Sequence, residues 1–168
     1  VGTGVMIGIP GQTLKDLCMD IRMFQQVDAD MIGMGPYLMS EEADLEFLGQ
    51  MENKALFQLS LNMIAVTRLV MGNINIAAAT ALQVLHPEGR EIAIEYGCNV
   101  IMPNLSPTKF REGYQLYDHK PGLNDDPFHF GLHLEERIQS RGREVGWNES
   151  GSSRKWLMKQ EKQEQLAC

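Results

Sequence analysis

The stretch GVMIGIPGQTLKDLCMDIRMF, residues 4–24, decides how the rest of the chain is read. Residues 4–9 make a short unbroken apolar run, the pattern of a parallel strand covered on both faces. Pro10 and Gly11 break that run. Thr13, followed three residues later by Asp16, predicts a helix N-cap with an acid placed to answer it. Leu14, Leu17, Cys18, Ile21 and Phe24 then fall on one helical face, with Lys15, Asp20 and Arg22 off it. These residues form one strand–helix unit.

The pattern repeats downstream. A second strand over residues 31–35 ends at Pro36, and Glu41, Glu42, Asp44 and Glu46 read as a solvated acidic loop. Leu56, Leu59, Met63, Val66 and Val70 make the apolar stripe of a long helix that Gly72 is placed to end. A third strand is expected over 74–78, then helical material with Pro87 at its start and Gly97 at its end. A fourth strand over 99–102 closes at Pro103. A tyrosine-bearing segment, a polar loop, an amphipathic helix around Leu134 and Ile138, and a polar tail follow. Residues 155–165 suit a helix, but their weak apolar stripe favours a solvated extension.

Strand–helix repetition with short links implies parallel strands and right-handed crossovers. Four such units suit an open doubly wound sheet or half of an eight-unit barrel, which usually needs about 250 residues. Periodicity leaves both open.

Bulk properties narrow the function. The chain of 168 residues, 43% hydrophobic, supports one core. A net charge of −7 argues against nucleic acid. No apolar run is long enough for a membrane span, and residues 1–4 lack a basic leader. Cys18, Cys98 and Cys168 are far apart, odd in number and without CxxC spacing, as expected of reduced thiols in the cytoplasm. A start at Val1 fits a fragment or a processed chain.

In either architecture ligands collect at the carboxyl ends of the strands. The candidate rim is therefore residues 9–12 and 36–39, Ala79 with Thr80, and Pro103 with Asn104. Tyr114 and Tyr117 lie beyond it and suit either a pocket wall or packing of the last segment. Thr80 offers a hydroxyl to a ligand or to a helix cap. Residues 8–11, ahead of a helix, resemble an anion site, but without GK[ST] they are no nucleotide P-loop. His129 and His133, four apart, suit an exposed pair better than a metal site.

At these rim residues the sequence resembles a known family. GVMIGIPGQT, DADMIGMGPYL, MIAVTRLVMGNINIAAATALQ, PEGREIAIEYGCNVIMPNLSPTKFREGYQLYD and LEERIQSRGREVG are similar to the C-terminal half of the HydE family. These are the radical SAM maturases of FeFe-hydrogenase, related to biotin synthase. The similarity runs over residues 1–146, with 55–146 resembling the biotin and thiamin synthesis-associated region and 147–168 left as a polar tail. The resemblance implies an α/β fold, the C-terminal half (about four βα units) of a radical SAM TIM-type barrel. It implies S-adenosylmethionine on a 4Fe–4S cluster held by a CxxxCxxC loop in the other half. It also implies a deoxyadenosyl radical that attacks a small iron–thiolate substrate made by a partner maturase.

Carried over by position, Met6 and Gly8 match the strand beside the cofactor's adenosyl group. Met31, Pro36, Thr80, Met102, Asn104, Tyr114, Leu116 and Tyr117 match the substrate cavity and its closing segment. Ala79 departs from a threonine pair and removes one hydroxyl. The CxxxCxxC loop is absent from this sequence, and residues 122–133 contain no cysteine for an accessory cluster. The chain alone is therefore expected to bind no cluster and to be inactive, with the missing N-terminal half of the barrel as its partner. Two open sheet edges predict self-association without it. Other readings are a fragment of a biotin-synthase-like or methylornithine-synthase-like enzyme, or a non-catalytic half-barrel binding module.

Overall fold

The computed structural model describes residues 1–39, 51–103, 107–110 and 127–167, with the backbone alone at 108, 127–132 and 167. In chain order the elements are β1 (Gly2–Ile7), α1 (Leu14–Gln26), β2 (Met31–Pro36), α2 (Asn53–Met71), β3 (Asn75–Ala78), α3 (Leu82–Leu85), α4 (Gly89–Glu95), α5 (Pro127–Gln139) and α6 (Arg154–Ala167). A single 3-10 turn spans Thr108–Phe110. The acidic residues 41–46, Asn104, Tyr114, Leu116, Tyr117, Cys168 and the side chain of His129 lie outside the described residues.

The architecture is mixed α/β around a three-stranded parallel sheet in the order β1-β2-β3. That order fixes the layering. Right-handed crossovers between strands that always advance in one direction place successive helices on one face. The core agrees: Val5, Ile7, Ile32, Met34, Ile76 and Ala78 pack with Leu17, Ile21 and Phe24 of α1, Leu61 and Ile64 of α2, and Leu82 and Ala93 beyond. Those strand residues share one face by alternation. A doubly wound sheet reverses its strand order and carries helices on both faces; the described strands do neither.

Several boundaries differ from the sequence expectation, each for a local reason. β1 starts at Gly2 and ends at Ile7, because Gly8 turns at φ +81° and Gln12 N donates to Ile9 O at 2.9 Å to close a turn. The fourth strand is reduced to one parallel bridge, Ala77 with Val100. The Asn99 side chain takes the Ile76 N–H at 2.8 Å in place of a ladder carbonyl, and Pro103 brings no donor. A short α3 comes first, with His86 extended after it, and the helix expected from Pro87 to Gly97 is α4, which starts two residues later at Gly89. Glycine is required there, since a β carbon would strike the Leu82 carbonyl.

α1 has its capping box, with Thr13 N donating to Asp16 Oδ2 at 2.8 Å and Asp16 N to Thr13 Oγ1 at 3.3 Å. Leu17, Ile21 and Phe24 are buried, but Leu14 and Cys18, expected on the same face, are exposed. In α2 the buried line is Leu56, Ser60, Leu61, Met63, Ile64 and Thr67, so the face is rotated from the expected stripe and leaves Val66 and Val70 in solvent. Ser60 tolerates burial by donating to Leu56 O at 2.8 Å, and Thr67 by donating to Met34 Sδ at 3.6 Å. Gly72, at φ +62°, ends the helix as expected. α5 buries Leu134 and Ile138, and its Arg137 meets the buried Glu91 of α4 at 2.8 Å.

The tail is not a solvated extension. It forms α6, capped by Ser153, whose Oγ accepts from Trp156 N at 3.1 Å. The apolar stripe is weak because the helix docks through lysines. No helix among the described residues is long and apolar enough to cross a membrane.

Candidate functional site

The sheet face opposite the helices carries Gly2, Gly4 and Met6 of β1, Met31, Gly33 and Gly35 of β2, and Asn75 and Ala77 of β3, aligned by register. Parallel sheets are ordinarily covered on both faces. Here Gly4, Gly33 and Met6 are exposed, Met6 at 54%. Asn75 and Ala77 on the same face are buried.

Glycine shapes this surface. Gly4 lies so close to Gly33 that a β carbon would run into the Gly33 carbonyl, whereas a β carbon on Gly33 would meet nothing within 4 Å. The result is a shallow trough between two methionines. None of these residues titrates, so this wall offers no general acid or base. Its polarizable thioethers and bare backbone suit close packing against a bound molecule.

The carboxyl-end rim is fixed by hydrogen bonds that the sequence did not reveal. Gln12 folds back over the end of β1: its Oε1 accepts from Gly8 N at 2.7 Å and its Nε2 donates to Met6 O at 3.1 Å. Tyr37 N donates to Ile7 O at 2.7 Å and ties the end of β2 to that of β1. Asp16 already fills the anion seat at the start of α1, where hydrogen bonds from Thr13 hold its carboxyl below the ordinary carboxylate range. The anion site suggested by residues 8–11 is thus occupied by the protein's own acid.

Among the carried-over positions, Met6 and Met31 share the open face but lie at opposite ends of it, Met31 beside Gly2 at the amino end and Met6 beside Gly35 near the carboxyl end. Met102, 59% exposed, follows the bridge at Val100. Gly8 lies at the rim, but its N–H is engaged by Gln12, and a β carbon there would strike Leu56. Pro36 is buried, and alternation puts it on the helix side with Ile32 and Met34. Thr80 caps no helix: Ala81 precedes α3 without a side-chain cap bond, and the Thr80 hydroxyl makes no hydrogen bond among the described residues. Ala79 packs against Gly35, the side facing the end of β2.

Arg68, not singled out in the sequence, organises the opposite, amino-end pole. Arg68 donates Nε to Gly97 O at 2.8 Å, Nη1 to Ile74 O at 2.7 Å and to Gly72 O, and Nη2 to Asn99 Oδ1 at 2.9 Å. Burial draws its pKa below the ordinary guanidinium value. A pattern of an arginine one turn before a helix-ending glycine was the available signal. Beside it, burial pushes the Cys98 thiol up to about 12. A protonated thiol neither ligates iron nor attacks, and Cys18 stands alone on the outer side of α1. Among the described residues no three His, Cys, Asp or Glu side chains gather as a metal site.

No family model matches the chain. A curated protein, the [FeFe] hydrogenase maturase subunit HydE of Thermotoga maritima, is 43% identical to it over 119 residues, which is 71% of this chain and 33% of that protein. The match thus supports a HydE-like relationship while spanning about a third of that relative's length.

Proposed function

We propose that this chain is the C-terminal part of a HydE-like radical SAM maturase, furnishing one wall of a barrel cavity. The observation that carries the reading is the coincidence of 43% identity over 119 residues with a sheet whose described strands run in sequential order and whose face away from the helices is exposed at Gly4, Met6 and Gly33. A one-sided parallel sheet of this order is the local geometry of a barrel wall, with the uncovered face inward.

The resident cluster of such an enzyme does not fit the residues present. Iron–sulfur clusters are held by thiolates; among the described residues, burial keeps the Cys98 thiol protonated and Cys18 has no second ligand group gathered with it. No step of the radical chemistry is therefore assigned to this chain. In the proposal Met6 flanks the adenosyl group of S-adenosylmethionine, and Gly8 shapes the turn beside it. Met31, Pro36, Thr80, Met102, Asn104, Tyr114, Leu116 and Tyr117 belong to the substrate side, with Pro36 acting through the backbone direction it sets. The Thr80 hydroxyl, without a hydrogen-bond partner among the described residues, is the polar group that a ligand would meet at the end of β3. The iron–thiolate substrate, the partner maturase and the N-terminal half of the barrel belong to the proposal in the same way.

The test is complementation. Co-expression with the N-terminal part of the Thermotoga maritima protein, followed by anaerobic reconstitution, is expected to give a complex that binds S-adenosylmethionine and forms 5′-deoxyadenosine. The 168-residue chain alone is expected to do neither. A stoichiometric cluster on the isolated chain, or no association between the two parts, overturns the reading.

A further inference from the structure

We infer that α6 is a detachable strap, held across the amino-end pole of the sheet by charge and able to leave without unfolding the sheet. This does not rest on the functional reading above. The contacts are nearly all polar. Lys155 Nζ meets Asp28 Oδ1 at 2.6 Å and Ala29 O at 3.0 Å; Lys159 Nζ meets Asp28 Oδ2 and Asp30 Oδ1, each at 2.7 Å, and Asp28 O at 3.1 Å. The second oxygen of Asp30 faces the Val1 amino group at 2.5 Å. Two further bonds fix the entry to the helix, Asn75 Nδ2 to Gly151 O at 2.8 Å and Lys155 N to Asn73 O at 2.9 Å.

The apolar side of the ledger is small. Trp156, Leu157, Met158 and Leu166 all remain exposed, and of these Met158 lines the open groove beside Leu69 and Val70. Helices in globular proteins are mostly held by burying an apolar face. No described apolar side chain of α6 is fully buried, Trp156 and Leu157 keeping 40% exposure, so its docking leans on ion pairs that salt weakens. The anchor is a loop acid, Asp28, at φ +52° between α1 and β2, and so lies outside the core cluster. Release breaks the bond to the backbone carbonyl of the core residue Ala29, but no described α6 side chain belongs to the core cluster.

Hydrogen exchange of the whole 168-residue chain tests this at about 0.01 M and about 1 M salt, between which the screening length falls from roughly 30 Å to 3 Å. High salt is expected to speed exchange of the α6 amides by about tenfold or more, while those of β2, β3 and α1 keep their protection. Lys155→Glu with Lys159→Glu is expected to release α6 at low salt, and adding Asp28→Lys to dock it again. With Trp147→Phe, the fluorescence of Trp156 follows the same states. Exchange of α6 and the sheet in step overturns the inference, since the helix is then part of one cooperative unit. So does an α6 indifferent to salt and to reversal, or a reversal that Asp28→Lys does not rescue.

Discussion

Replacing Arg68 by methionine keeps most of the side chain's bulk and removes every donor it offers. Four acceptors then lose the guanidinium, Gly97 O, Ile74 O, Gly72 O and Asn99 Oδ1, although Asn99 Oδ1 keeps the Ile76 N–H. The bonds to Gly72 O and Asn99 Oδ1 are exposed, and water replaces them at little cost. The bonds to Gly97 O and Ile74 O are partly buried, and a stranded carbonyl there costs about 1–2 kcal/mol. The sum is a destabilisation of about 2–4 kcal/mol. For a domain of this size that lowers Tm by roughly 5–15 °C. Urea unfolding followed by circular dichroism measures it directly, provided that both proteins unfold in two states. Arg68→Lys retains the charge without the fork and is expected to recover less than half of the loss. Asn99→Ala in the Arg68→Met background should cost less than it does alone, because the two residues share one network. A loss below about 0.5 kcal/mol for Arg68→Met, with α2 and the Val100 bridge intact, refutes the claim that this guanidinium ties the amino-end pole together.

Other outcomes follow from single contacts. Gly4→Ala is expected to cost more than about 2 kcal/mol, because the new methyl meets the Gly33 carbonyl, whereas Gly33→Ala should fall within about 0.5 kcal/mol; parallel denaturant curves compare them. In the complemented protein Gly33→Ala should nonetheless weaken S-adenosylmethionine binding if the open trough faces the cavity. Thr80→Ala is expected to leave stability within about 0.5 kcal/mol and to act only on ligand binding, read by calorimetry on the same complex. Hydrogen bonds from Lys155 and Lys159 hold Asp28 at about 2, below its ordinary 3.8. A depressed carboxylate pKa contributes stability that is present above the unfolded value and lost as pH falls through the folded one. Protection of α6 should therefore decline between about pH 4 and pH 2, by hydrogen exchange. Cys98, raised to about 12, should resist alkylation in the folded chain at mildly alkaline pH while the exposed Cys18 reacts, read by peptide mass spectrometry.

Much of the local structure was legible because local causes produce it. The Thr13–Asp16 box, the helix-ending Gly72, the β2 run stopping at Pro36 and the amphipathic face of α5 each depend on neighbours within a few residues. What misled was treating apolarity as burial. Leu14, Val66 and Val70 are apolar and exposed, while Ser60 and Thr67 are buried, because each hydroxyl finds an acceptor on or beside α2. The site was legible only in outline. Strand ends and the family resemblance pointed to Met6, Met31, Thr80 and Met102, but no pattern in the chain announces that Gln12 folds back over β1 or that alternation turns Pro36 toward the helices.

The amino-acid order by itself determined that this is a parallel strand–helix protein, with its breaks at proline and glycine and without the cysteine loop that a radical SAM cluster needs. Only the tertiary structure gave the order β1-β2-β3 of the described strands, because strand order depends on which edges meet, and periodicity is blind to that. It also decided the fate of the fourth strand and of the tail. Asn99 claims a ladder donor through its side chain, and lysines of α6 find Asp28 and Asp30 more than a hundred residues away. Contacts of that separation leave no periodic trace in the chain.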